Sequence, residues 1–212
     1  MKSLFLGSLL FSLSLLGIWL LPGQEKPTRS TAKSSQPKPP AKIGNPSFLS
    51  PHFRPITLHR DHLFVVNTPA DTVDVIDTTT GRFLKRIPVG IDPVSIAIRP
   101  DGREAWISNH ISDSISVIDT DPTSPTHLHV IATVQDLDLE KRATRFDEPV
   151  GIAFANNQKA YVALSSENKI AVIDVASRLV TKHLSIPAQD PRALTVRHGK
   201  LYVIPFESNN KT

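Results

Sequence analysis

From residue 53 onward the sequence predicts an all-β fold of four-stranded sheets, and three recurrences predict it. An aromatic-containing run, Leu63-Phe64-Val65-Val66-Asn67, returns as Ala105-Trp106-Ile107-Ser108-Asn109, Ala160-Tyr161-Val162-Ala163-Leu164 and Leu201-Tyr202-Val203-Ile204-Pro205, at offsets of 42, 55 and 41. A second run, Val73-Asp74-Val75-Ile76-Asp77, returns as Ile115–Asp119 and Ile170–Asp174 at the same first two offsets, 42 and 55. The third landmark is a proline after an acid, at Asp92-Pro93, Glu148-Pro149 and Asp190-Pro191, with Pro55 as a fainter first copy. Three landmarks that keep one register at about 40–45 residues indicate repeats of four strands, the signature of β-propeller blades.

Within each unit, the first strand follows the proline (Val94–Ile98, Val150–Phe154, Ala193–Val196). A turn such as Pro100-Asp101-Gly102-Arg103 leads to the second strand, which carries the aromatic. Polar hairpin loops at Thr68–Thr72, His110–Ser114 and Ser165–Lys169 lead to the third strand, which ends in Ile-Asp. The fourth is Phe83–Val89, His129–Val134 or Leu179–Ile186. Period-two alternation runs through these segments without a helical pattern.

The repeated positions have packing reasons. Side chains alternate across a strand, so Phe64, Trp106, Tyr161 and Tyr202 are expected to fill the space between stacked blades; the rival reading is a ring of aromatics around a ligand. Asp77, Asp119 and Asp174 are expected to accept hydrogen bonds from the turn amides that follow them, against the alternative of a carboxylate ring. Asn67 and Asn109 suit the turn after the second strand, and Pro93, Pro149 and Pro191 mark the start of the first. The third unit is longer than its neighbours, with the excess in Asp121–Asp147, expected to form a loop on one rim.

Composition excludes several chemistries. The chain of 212 residues contains no cysteine, which removes disulfides, thiolate metal sites, thiol nucleophiles and covalent c-type haem attachment. Its net charge of +4 resides in the first 46 residues, which hold six Lys or Arg against the single acid Glu25. Residues 47–212 hold eighteen against nineteen. A folded part this balanced lacks the basic footprint of a nucleic-acid binder. His127 and His129 form a His-x-His pair, the weak candidate for half of a metal site, with no third ligand at suitable spacing. His110 follows Asn109 in a hairpin loop and is the candidate to face a ligand at a rim. Ser165-Ser166 lacks a nucleophile elbow, no phosphate-binding glycine loop occurs, and neither a catalytic residue nor a cofactor site is assigned.

The N-terminus carries an address. Lys2 precedes Leu4–Leu21, eighteen residues without charge, a pattern of export whose length lies between a cleaved signal and a membrane span. Residues 1–23 are read as signal peptide or N-terminal anchor. Residues 24–52, with Pro27, Pro37, Pro39, Pro40 and Pro46, are read as a Pro/Lys/Ser-rich linker, and 53–212 as the partial propeller.

Together, Leu63-Phe64-Val65-Val66-Asn67, Val73-Asp74-Val75-Ile76-Asp77, Ile87-Pro88-Val89-Gly90, Pro93 and Pro100-Asp101-Gly102 resemble the YVTN repeat of bacterial and archaeal β-propellers. The resemblance covers about residues 53–205. The third and fourth units depart from it, with Leu164 and Pro205 where the motif has Asn. It implies an exported, periplasmic or cell-surface propeller with a binding or scaffold role toward a protein, glycan or small molecule of the cell envelope. It also implies relatives among lactonases and the propeller subunits of redox enzymes. Three blades and the start of a fourth do not close a ring, so the expectation is a piece of a longer polypeptide, and the alternative function is the N-terminal part of a larger exported redox or hydrolytic enzyme.

Overall fold

The structure, a computed structural model, describes residues 52–207. The expected signal or anchor at 1–23 and nearly all of the linker at 24–52 lie outside the described residues. Among those described, no helix is long and apolar enough to cross a membrane.

Three antiparallel four-stranded sheets follow one another along the chain. The first comprises β1 (Ile56–His59), β2 (His62–Asn67), β3 (Thr72–Asp77) and β4 (Phe83–Pro88). The second comprises β5 (Pro93–Ile98), β6 (Glu104–Asn109), β7 (Ser114–Asp119) and β8 (Val130–Val134). A small hairpin, β9 (Leu137–Asp138) with β10 (Ala143–Thr144), precedes the third sheet. That sheet contains β11 (Pro149–Asn156), β12 (Lys159–Leu164), β13 (Lys169–Asp174) and β14 (Leu179–Ser185). β15 (Gln189–Arg197) and β16 (Lys200–Glu207) form the first hairpin of a fourth unit. Within every sheet, spatial order equals chain order, the simple meander of a propeller blade.

The sheets are stacked so that first strands neighbour first strands: β1 lies against β5, β5 against β11, and β11 against β15. They therefore line the axis, and the fourth strands lie outermost. Closeness at the axis is visible at Gly151 of β11, where a Cβ would stand 2.1 Å from the Arg192 carbonyl oxygen of β15. Only glycine lets two backbones approach so far.

Register carries the repeat into three dimensions. Phe64 pairs with Thr57 and Val75, Trp106 with Ala97 and Val117, and Tyr161 with Ala153 and Val172. Each points to the face that meets the next sheet. Phe64 joins Val66, Val73 and Val75 against Ile96, Ala105, Ile107 and Ile118. Trp106 joins Ile115 and Val117 against Ile152, Val162 and Ile173, with the Phe154 ring edge-on at 5.3 Å. Tyr161, half-buried, packs with Ala163 and Ile170 toward Leu194 and Val203. Tyr202 keeps the register, opposite Thr195, yet is 50% exposed because no described strand covers its face. The expected inter-blade role of the aromatic thus holds wherever a following sheet exists.

The extra length of the third unit does not form one rim loop. It is divided: 120–129 connects β7 to β8 at one rim, and 135–148 connects β8 to β11 at the other. Both parts are tied down. Leu128 packs with the first inter-sheet cluster, and Phe146 is fully buried in the second. His183 of β14 donates through Nε2 to the Arg145 carbonyl oxygen at 2.9 Å and lies 3.6 Å from Asp136, which pairs with Arg145 at 2.7 Å. The charged run that reads as solvated in sequence therefore hides one apolar anchor.

Candidate functional site

Alternation of strand direction puts the second-to-third hairpins and the sheet-to-sheet connections on one rim. There His110, 7% exposed, is buried between the second and third sheets. Its Nε2 lies 3.9 Å from Glu148 Oε2, and the Ser165 hydroxyl donates to that same oxygen at 3.2 Å. Asp113 Oδ1 accepts from the Glu148 amide at 3.0 Å. Burial raises the Asp113 carboxyl above its usual range, and the charges of Asp147 and Glu148 add to this against the lowering by the amide bond. Glu148 stands between hydroxyl and imidazole, so His110 does not touch Ser165. A base-activated nucleophile needs that direct contact. His110 Nδ1 is buried and has no hydrogen-bond partner among the described residues.

The Asp113–Glu148 contact is one copy of a recurring clasp. Asp71 Oδ1 accepts from the Asp92 amide at 2.8 Å, and Asn168 Oδ1 accepts from the Asp190 amide at 2.8 Å. Asp71, Asp113 and Asn168 each precede a third strand with φ of 54°, 48° and 55°; Asp92, Glu148 and Asp190 each precede the conserved-register proline with φ of 61°, 49° and 51°. Asn and Asp tolerate this left-handed backbone better than other residues with a Cβ. Sequence reasoning missed the clasp, although its signal was present: Asp, Asp and Asn recur at the same offsets of 42 and 55 as the aromatics.

The turn acids behave as expected. Asp77 Oδ1 accepts from the Thr79 and Thr80 amides at 2.8 and 2.9 Å, and Asp174 Oδ1 from the Ser177 amide at 2.8 Å. These backbone hydrogen bonds hold both carboxyls below the usual range, with Thr80 leading at Asp77 and Ser177 at Asp174. At Asp119 burial pushes upward, but bonds from Ser124, Thr126 and the Asp121 amide outweigh it and lower the carboxyl. Asn109 donates to the Ser114 and Ser116 hydroxyls, both at 3.0 Å, closing the turn after β6. Asn67 makes no side-chain cap. Pro93, Pro149 and Pro191 are buried at or near the start of β5, β11 and β15.

His127 and His129 lie in the connection before β8, off the strand. His129 sits 2.9 Å from the Lys85 ammonium and His127 is tilted against His62 at 6.0 Å between centroids. Among the described residues, no group of three or more His, Asp or Glu is placed to hold a metal ion.

Two cavities open on the axial side. One, of about 260 Å3, is lined by Arg54, Ala97, Ile98, Ile152, Phe154 and Arg197 among others, so that all four units contribute. Arg54 is brought there by a backbone bridge to Ser95, which lays the chain before β1 parallel to β5. The second, of about 220 Å3, shares Arg54, Leu194 and Thr195 with the first and adds Phe53, Tyr202 and Ile204.

Meandering four-stranded sheets, stacked with their first strands about an axis, define the chain as a β-propeller, present here as three blades and the first hairpin of a fourth. Solved propeller structures agree. Hydrazine synthase from Kuenenia stuttgartiensis matches with a TM-score of 0.58 and 27% identity, over 68% of this chain and 39% of that one. The β-propeller domain of Cps50 (Swd1) from Myceliophteria thermophila matches at 0.55 and 15% identity, over 69% and 45%. Virginiamycin B lyase from Staphylococcus aureus matches at 0.54 and 17%, over 70% and 47%. The chain therefore spans less than half the length of these structures. No protein-family model and no curated protein sequence matches it.

Proposed function

We propose that this chain is a YVTN-type propeller module exported to the cell envelope, where it binds a ligand or partner without transforming it. The observation that supports this reading best is the axial surface, where side chains from all four units converge on one cavity. Concave sites with a few placed polar groups are the usual places for ligands, and the rim cluster of His110, Glu148 and Ser165 lacks the imidazole–hydroxyl contact that acyl transfer requires. Export rests on Lys2 and the uncharged Leu4–Leu21, followed by a proline-rich spacer. The test uses the full chain expressed with its own N-terminus. Fractionation is expected to recover it outside the cytoplasm, and glycan and metabolite arrays are expected to yield a saturable ligand. Reproducible turnover of any substrate, or recovery only in the cytoplasm, sinks the reading.

A second reading is favoured by one finding, the 27% identity to a hydrazine synthase chain of which this one covers 39%. On that reading the blades belong to a larger exported enzyme whose reacting groups lie beyond residue 212. Haem-attachment motifs of the Cys-x-x-Cys-His type in the downstream reading frame would decide for it.

A further inference from the structure

From the distribution of unpaired charge we infer that the axial cavities form a binding site for an amphiphilic organic anion, its head held by Arg54 and Arg197 and its apolar body toward Phe53, Tyr202 and Ile204. The inference rests on the binding-module reading and specifies its ligand.

Arginines elsewhere in the described fold are matched to acids. Arg86 is paired with Asp74, Arg99 with Asp101 and Glu104, Arg145 with Asp136, Arg178 with Glu104, and Arg192 with Asp190. Arg54 and Arg197 have no such partner among the described residues, and both line the same cavity. Its remaining lining, which includes Ala97, Ile98, Ile152, Leu194 and Val196, contains no carboxylate. Two uncompensated guanidiniums beside low-dielectric walls concentrate positive potential there, and their planar forks suit a carboxylate or another oxyanion.

The adjoining cavity supplies the complement. Arg54, Leu194 and Thr195 border both spaces, so a ligand seated on Arg54 has the second cavity beside it. There Tyr202 is 50% and Ile204 65% exposed. Contact with an apolar chain would remove that surface from water. At about 260 and 220 Å3 the two spaces suit a small molecule and not a polymer.

Octanoate is the probe, with octanol as the uncharged counterpart, octylammonium as the cationic one and inorganic phosphate as the head without a body. Titration calorimetry on the full chain at low ionic strength is expected to show octanoate binding alone. The double variant R54Q/R197Q is expected to weaken it at least tenfold, since charge-assisted hydrogen bonds are the strong ones, and Ile204→Lys to weaken it separately. Arg82→Gln, on a distant turn, is expected to leave it unchanged. Circular dichroism of each variant checks that the fold persists, which exposed positions such as Arg54 and Arg197 favour. Equal binding of octanol or octylammonium overturns the inference. So does unaltered octanoate affinity in R54Q/R197Q, or phosphate competing as well as octanoate does. If octanoate fails while the arrays find another saturable ligand, only the anion assignment falls. If turnover is found, the binding-module reading falls with it.

Discussion

Replacing Trp106 and Tyr202 by alanine, one at a time, tests the stacking of blades at a single repeat position. The two residues occupy the same place in their strands, opposite Ala97 and Thr195. Trp106 is fully buried, whereas Tyr202 is 50% exposed. A large aromatic buries about 200 Å2, and at about 25 cal/mol per Å2 its removal costs roughly 5 kcal/mol. Measured Trp→Ala changes cluster at about 3–5 kcal/mol. At Trp106 the loss includes the edge contact with Phe154 and the Nε1 hydrogen bond to Glu104 Oε2 at 2.9 Å. Glu104 keeps Arg99 and Arg178 at 3.0 and 3.2 Å, so its charge stays compensated. About 4 kcal/mol is therefore expected at Trp106 and about 1 kcal/mol at Tyr202, where half the area was never removed from water. Urea unfolding of the full chain, followed by circular dichroism and fluorescence, measures both. Repeat arrays couple mainly through nearest-neighbour interfaces, so the Trp106→Ala transition is also expected to broaden as the second and third blades uncouple. Equal losses at the two positions would refute the idea that the aromatic works between blades.

Further outcomes follow from the same contacts. Phe146→Ala is expected to cost about 3–5 kcal/mol in the same assay, because Phe146 is buried in the cluster between blades two and three; Leu139→Ala in the same insertion, 82% exposed, is expected to change stability by less than about 0.5 kcal/mol. Gly151→Ala must part β11 from β15, where its Cβ would meet a carbonyl at 2.1 Å, and is expected to lower the melting temperature more than Gly199→Ala, which meets nothing within 4 Å. Asp113→Asn is expected to raise stability at neutral pH, since Asn168 already makes the equivalent hydrogen bond and the charge beside Asp147 and Glu148 is removed. The sign follows from the raised folded carboxyl: its contribution is most favourable below the unfolded value of about 3.9 and declines as pH rises through the folded one. Melting temperatures between pH 3 and 7 should therefore converge for the two proteins at the acid end. Asp77→Asn acts in the opposite sense, because the Thr80 and Thr79 amides lower that carboxyl, so the parent's advantage is present at neutral pH and lost as pH falls below about 4.

The parts of this fold that repeat were legible in the sequence. Phe64, Trp106 and Tyr161 are large where neighbours are β-branched, and the acid ending each third strand sits at a fixed distance from them. Backbone hydrogen bonding and alternation then leave little freedom for the strands, whose observed limits differ from the expected ones by a residue or so. What did not repeat was not legible. Asp121–Asp147 looked like one solvated loop because its charges outnumber its apolar residues, and nothing in that pattern says that β8 divides it between two rims. Phe146 is a lone apolar residue there, and its burial depends on the neighbouring blade. The axial cavity was hidden for a different reason. Arg54 and Arg197 lie at opposite ends of the folded chain, and only closure of the arc brings them to one surface. His110 shows the limit of loop assignment, since its hairpin is at the rim while its ring is covered by the next blade.

The clasps at Asp71, Asp113 and Asn168 give the chain a preferred order of assembly. In each, the acceptor belongs to the earlier blade and the amide to the segment that begins the later one. A polypeptide emerging N-terminus first has its anchor point waiting whenever a new inner strand arrives, and most of its contacts are between adjacent stretches of chain, the circumstance that favours fast folding. A polypeptide threaded from the other end would present each strand before its holder. Directional growth of this kind suits a molecule that must take shape progressively on the far side of a narrow pore.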